Sequence, residues 1–133
     1  MKKYELTEET IMINGNLKLY RIRALKNFGD VNAGDLGGYV ESENNLSQEG
    51  SCWVYDEVKV FNDAMVFGSA RVYGSASVYD SASISGSAKV FGSSKISGSA
   101  WVFEDAKVYG SAWVFENAKV FDSAEVFDSA SVS

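Results

Sequence analysis

From Cys52 to Ser133 the chain repeats a six-residue unit with no insertion or deletion. Residues 69–92, SARVYGSASVYDSASISGSAKVFG, say nearly the same thing four times. We number the six columns from Cys52. Column three is Val or Ile at every step from Val54 to Val132. Column one is Ala except at Cys52, Val58 and Ser94. Column four is aromatic except at Ser85, Ser97 and Ser133, and columns five and six hold Gly, Asp, Asn, Glu and Ser.

A period of six cannot follow the 3.6-residue turn of a helix, and the Val, Ser and Gly content opposes one. A strand fits. Columns one and three lie two apart and face inward, and column two faces outward. Columns five and six carry the turn formers. A small residue beside a branched one, repeated without a gap, fills a narrow triangular prism. Three hexads close a coil of 18 residues, and coils stack at roughly 4.8 Å. The predicted class is all-β: a parallel β-helix that needs several coils to stand. Counting back to Gly34 gives five to six coils, a rod of roughly 26 Å. The absence of proline suits a chain made mostly of strand.

Residues 1–33 are expected to form a β-hairpin cap and a lead-in loop, with the β-helix over 34–133. Ile11-Met12-Ile13, Asn14-Gly15 and Asn16 to Ile22 read as a hairpin with a type I′ turn. Gly29, Gly34, Gly37 and Gly38 mark the loop into the first coil. Val40-Glu41-Ser42 and Leu46-Ser47-Gln48 are read as keeping the six-residue phase with polar residues in column three, an imperfect first coil.

The run Ala-x-Val-x-Gly-Ser resembles the hexapeptide-repeat superfamily, whose members fold as left-handed parallel β-helices. Handedness is implied by that resemblance alone. The segment LYRIRALKNFGDVNAGDLGGYVESENNLSQEGSCWVYDEV is similar to YdcK-like proteins and to small phage and prophage hexapeptide-repeat proteins. Better-known relatives are acyltransferases, which use a histidine base, and carbonic anhydrases, which bind zinc through three histidines. This chain has no histidine, so no position inherits either role. No metal or cofactor is expected, and neither is an enzyme.

A net charge of −6 disfavours direct binding to nucleic acid. One cysteine excludes an intrachain disulfide and allows a reducing compartment. The N-terminus lacks the apolar core of a secretory signal, and no stretch approaches the ~20 apolar residues of a membrane helix. The expected location is cytoplasmic.

Every third hexad lies on one face. The face that starts at Trp53 brings Arg71, Lys89 and Lys107 together with the aromatic file Tyr73, Phe91 and Tyr109. This strip is a candidate site for a nucleotide or another anionic ligand, with cation–π contacts between its cations and rings. Trp101, Phe103, Trp113, Phe115 and Phe121 gather on the other faces as a candidate self-association or partner surface. The alternative is that these rings shield the corners of their own coils. The sequence stops at Ser133 in mid-pattern, and that edge or the flanks are expected to pair with another protomer.

Asp56, Glu57, Asp63, Glu104, Asp105 and Glu116 fall in the corner columns, where a structural role outweighs acid–base chemistry. FGDV and AGDL lack the ligand spacing of a calcium loop. An ice-binding face needs files of Thr, and Thr occurs only at positions 7 and 10. Cys52 and Ser94 are expected inside, Ser94 bonded to backbone.

The reading is a non-enzymatic binding or scaffold protein, phage- or prophage-encoded by resemblance, with protein contacts on its faces. Its acidic corners would suit an inhibitor of a host factor. The alternatives are an acyltransferase-like enzyme without a histidine base, and capture of an anionic small ligand on the strip.

Overall fold

The computed structural model describes residues 2–133. Three antiparallel strands lead in: β1 (Tyr4–Ile13), β2 (Leu17–Ala24) and β3 (Leu36–Val40). The rest is an all-β solenoid of about five turns. Its strands are two residues long, one per hexad, each made of columns two and three. They form three sheets, one per face of the prism. Face one holds Trp53, Arg71, Lys89, Lys107 and Glu125 in register, and Val72 pairs over Val54, 18 residues on. Face two runs through Lys59, Ser77, Lys95, Trp113 and Ser131, and face three through Met65, Ser83, Trp101 and Lys119. β1, β2 and β3 extend the sheet of face two, so the hairpin continues one wall of the prism.

Column three is fully buried from Val54 to Val114, and column one from Cys52 to Ala112 is sealed beside it. Val and Ala alternate along the interior because three branched side chains leave room at each level for only three small ones. Inward Ser94 donates to the Phe91 carbonyl at 2.8 Å, as expected.

Every column-five residue from Asp56 to Asp128 has positive φ, between 54° and 79°. This is the left-handed corner conformation that Gly adopts freely and Asn or Asp tolerates. It is the reason for the residue choice in that column. The side chain also works here. Asp56 Oδ2 accepts the Gly74 N–H at 3.1 Å, Asn62 Oδ1 that of Asp80 at 3.2 Å, and Asp80 Oδ2 that of Gly98 at 3.0 Å. These N–H groups face the preceding coil and lie outside the strand ladder.

The lead-in differs from the sequence reading in three ways. The hairpin turn has positive φ at Asn14 (51°) and Gly15 (83°), as a type I′ turn requires. Asn16 belongs to it too, because Ile13 pairs with Leu17. The six-residue phase is not kept before Cys52. Val40 pairs with Val60 and Leu46 with Val66, each 20 residues apart. Buried Val40 and Leu46 therefore hold column three, and Ser42 and Gln48 do not. The chain takes up two extra residues between Ser47 and Gly50, since Gly50 already stands in register over Gly68. Finally, column two is open to solvent at every hexad except Trp53, which faces outward too but is 1% exposed because the lead-in covers it. Tyr4 and Phe28 pack edge-on against its ring.

The two-residue slip makes room for a polar cap. Gln48 Oε1 accepts the backbone N–H groups of Lys3 (2.8 Å) and Tyr4 (3.1 Å). Lys3 is 0% exposed. Its ammonium donates to Cys52 O (2.8 Å), Gly50 O (3.3 Å) and Glu49 O (3.4 Å), and lies 3.3 Å from Cys52 Sγ. These carbonyls have no coil before them to supply N–H donors, and one ammonium serves all three. Burial pushes the Lys3 ammonium below its ordinary value, against the pull of Cys52.

Candidate functional site

Face one assembles the strip read from the sequence. Lys89 pairs in register with Arg71 on one side and Lys107 on the other. The rings two residues further on form a continuous file. Tyr73 stacks on Phe91 and Phe91 on Tyr109, both at 4.9 Å between centroids, and Phe127 continues the file at 5.5 Å. Tyr55 meets Tyr73 edge-on at 6.0 Å.

The expected cation–π contacts are absent from the strip. Among the described residues cations lie over rings at Lys3–Phe28, Lys18–Tyr20 and Arg21–Tyr39. The reason is the stacking itself: rings one coil apart already cover each other's faces. The cations are left to solvent or to an anion.

The lead-in loop shapes one end. Tyr55 donates its hydroxyl to Asp30 Oδ1 at 2.9 Å, and Asp30 Oδ2 lies 4.0 Å from Arg71 Nη1. Asp30, Tyr55, Asp56, Arg71, Tyr73 and Lys89 line a cleft of 330 Å³. Burial, then the Asp30 carboxylate, pushes the Tyr55 phenol well above the ordinary tyrosine range. Tyr55 is thus a firm hydrogen-bond donor and a poor base. At the other end Tyr109 donates to Glu125 Oε1 at 2.9 Å. Ion pairs among the described residues involve Lys2, Arg21, Arg23 and Arg71, and neither Lys89 nor Lys107 joins one. Two in-register lysines with no carboxylate at ion-pairing distance repel each other and favour an anion between them.

Sequence reasoning found the strip but missed Asp30 as its neighbour. The only available signal was the glycine-rich loop, which is long enough to fold back over the first coils.

The aromatic surface divides. Trp101, Trp113 and Phe121 are exposed (40%, 43% and 44%), whereas Phe103 and Phe115 are half-buried. Trp101 lies against Phe103 at 4.5 Å and donates Nε1–H to Ser85 Oγ at 3.1 Å. Trp113 repeats this with Phe115 (4.7 Å) and Ser97 Oγ (2.9 Å). Where column four loses a ring to Ser, column two gains a Trp 16 residues on to cover the gap. Part of this surface is therefore intramolecular shielding.

The six acids are spread over all three corners and form no reacting pair. Asp56, Glu104 and Glu116 occupy left-handed column-five positions, and Glu57, Asp63 and Asp105 follow in column six. Asp56 caps Gly74 N–H, and Glu57 accepts from Arg21 at 3.1 Å. Asp63 lines a second, more polar cleft with Glu41, Ser42, Asn44, Asn62 and Met65. Among the described residues no group of three His, Cys, Asp or Glu side chains could hold a metal, and no helix is long and apolar enough to cross a membrane.

The chain is similar to a protein of Escherichia coli (strain K12) described as "Uncharacterized acetyltransferase YdcK". The two are 41% identical over 64 residues. The match covers 43% of this chain and 20% of that protein, so the chain spans about one fifth of its relative's length. No family model matches the chain. The sequence is a hexapeptide-repeat solenoid with distant similarity to this acetyltransferase.

Proposed function

We propose that the chain is an acyltransferase-type solenoid that takes an anionic acyl donor at the face-one cleft. The observation that carries this reading is the similarity to a protein named as an acetyltransferase. The cleft supports it. Arg71 and Lys89 in the cleft, with Lys107 beside Lys89 in register, offer charge to donor phosphates, the edges of the aromatic file offer apolar surface, and the volume lies at the small end of ligand sites. Asp30, fixed by the Tyr55 hydroxyl, lies 4.0 Å from Arg71 Nη1 and biases the guanidinium toward the cleft. With no histidine, a carboxylate such as Asp56 or Asp30 is the base available beside it.

Calorimetric titration with acetyl-coenzyme A, followed by transfer of labelled acetyl to small amine and hydroxyl acceptors, tests the reading. Binding that weakens about tenfold in Arg71→Gln or Lys89→Gln, with salt-dependent affinity, is expected. Turnover that survives both changes overturns the assignment of the cleft. Absence of donor binding overturns the acyltransferase reading itself.

A second reading is a non-enzymatic binding protein. It is favoured by the absence of histidine together with the exposed Trp101, Trp113 and Phe121. Its occupants would be a second copy of the chain or another protein. Sedimentation measures the first. Changing Asp56, Glu57, Asp63, Glu104, Asp105 and Glu116 to Ser tests whether partner binding depends on the acidic corners.

A further inference from the structure

Faces two and three carry one small arrangement twice. The sequence Trp-Val-Phe-Glu occurs at 101–104 and again at 113–116. Each Trp leans toward its corner onto its own Phe, with interplanar angles of 35° and 38°. Each indole N–H is spent on a serine of the preceding coil. Each corner is then turned by a Glu in the left-handed conformation, with φ of 58° at Glu104 and 56° at Glu116.

The lateral neighbours are one serine and one lysine in each case, in opposite order along the rod. Trp101 stands in register between Ser83 and Lys119, and Trp113 between Lys95 and Ser131. Each indole is thus a fixed apolar platform with one lysine and one serine as its register neighbours and a glutamate three residues on at the corner it leans toward. Faces two and three meet at the edge turned by Gly98 and Glu116, so the two platforms sit on adjoining walls.

We propose that these two corners are paired subsites for a neutral oligosaccharide. The charge balance selects the ligand. A basic peptide would meet Lys119 or Lys95, and a polyanion would meet Glu104 or Glu116. A neutral polyhydroxyl ring uses both, since each hydroxyl donates and accepts. The weakly positive axial C–H groups of a sugar ring suit the negative face of an indole. The bond to serine fixes the ring before binding, so little side-chain freedom is lost. Two such platforms on one rod let a chain of sugars gain from linked binding. This inference rests on no part of the face-one cleft.

Tryptophan fluorescence provides the test. Trp53 is buried, so changes report Trp101 and Trp113. The probes are chitohexaose, cellohexaose and maltohexaose, with hexa-arginine as a control. A saturable change with at least one hexasaccharide, at a Kd below about 1 mM, is expected. Trp113→Ala or Trp101→Ala should weaken it about tenfold, and calorimetric titration, which needs no reporting indole, should find no binding in the double variant. Glu104→Gln and Glu116→Gln, which leave the packing intact, should each weaken it severalfold. An unchanged circular dichroism spectrum and Trp53 emission establish that the variants are folded. No response to any hexasaccharide up to about 10 mM overturns the proposal. So does undiminished binding in the double variant, or a response confined to hexa-arginine.

Discussion

Replacing Gly92 separates the two demands made on a corner. Its φ is 73°, and a Cβ placed there would stand 2.7 Å from the Gly110 carbonyl oxygen and 2.9 Å from its nitrogen. Gly92→Ala therefore carries the left-handed penalty of about 1–2 kcal/mol. It also forces the coils apart locally, at about 1–2 kcal/mol more. Asn should be tolerated better. Asp56 and Asp80 already place a Cβ at equivalent corners, above Gly74 and Gly98, and accept the N–H below. An Asn oxygen at position 92 would accept the Gly110 N–H in the same way, recovering about 1 kcal/mol. Its own tolerance of positive φ recovers part of the backbone penalty. At roughly 4 °C per kcal/mol for a chain of this size, Gly92→Ala lowers the melting temperature by about 8–16 °C. Gly92→Asn should cost about half of that. Thermal unfolding followed by circular dichroism, with urea unfolding alongside, measures both. If Gly92→Ala melts with the parent protein, or Gly92→Asn melts below Gly92→Ala, the corner argument fails.

Val90 is fully buried between Val72 and Val108, so Val90→Ala should lower urea-unfolding stability by about 2–3 kcal/mol with little change in the denaturant slope. The Tyr4 and Tyr55 phenols are held above the ordinary value of 10.0, chiefly by burial. The native state then keeps protons that the unfolded chain releases, so stability is complete below pH 10 and falls as pH rises beyond it. The urea midpoint should hold steady up to about pH 10 and drop as pH rises beyond it, and less so in Asp30→Asn, whose carboxylate no longer faces Tyr55. Cys52 is buried and its thiol is pushed up by that burial, so thiol reagents should label it only after unfolding, as mass spectrometry would show.

The solenoid was legible because its constraint is local. A prism interior admits one small and one branched residue per hexad, and the chain states this from Cys52 to Val132. The corners were legible as turn formers in columns five and six, but not that column five alone takes positive φ, since Glu104 and Glu116 stand there among Gly, Asn and Asp. The slip before Cys52 was hidden because the segment Ser47–Gly50 has no apolar residue to mark a phase. Val40 and Leu46, six apart and apolar, were the available sign of it. The burial of Trp53 depends on Tyr4 and Phe28, residues more than twenty positions away. The site was half legible. Arg71, Lys89 and Lys107 follow from the 18-residue period, but Asp30 sits in the lead-in loop and reaches Tyr55, 25 positions on, across β3 and the irregular first coil. Likewise, the bonds from Trp101 to Ser85 and from Trp113 to Ser97 span 16 residues, close to the coil period but offset by one strand pair.

Amide chemical-shift mapping during titration with acetyl-coenzyme A tests the central functional claim most directly. The account predicts saturable shifts at Tyr55, Asp56, Arg71, Tyr73 and Lys89, fading toward Lys107, with Trp101 and Trp113 unmoved. Shifts centred on the Trp corners, or none anywhere on face one, would contradict it.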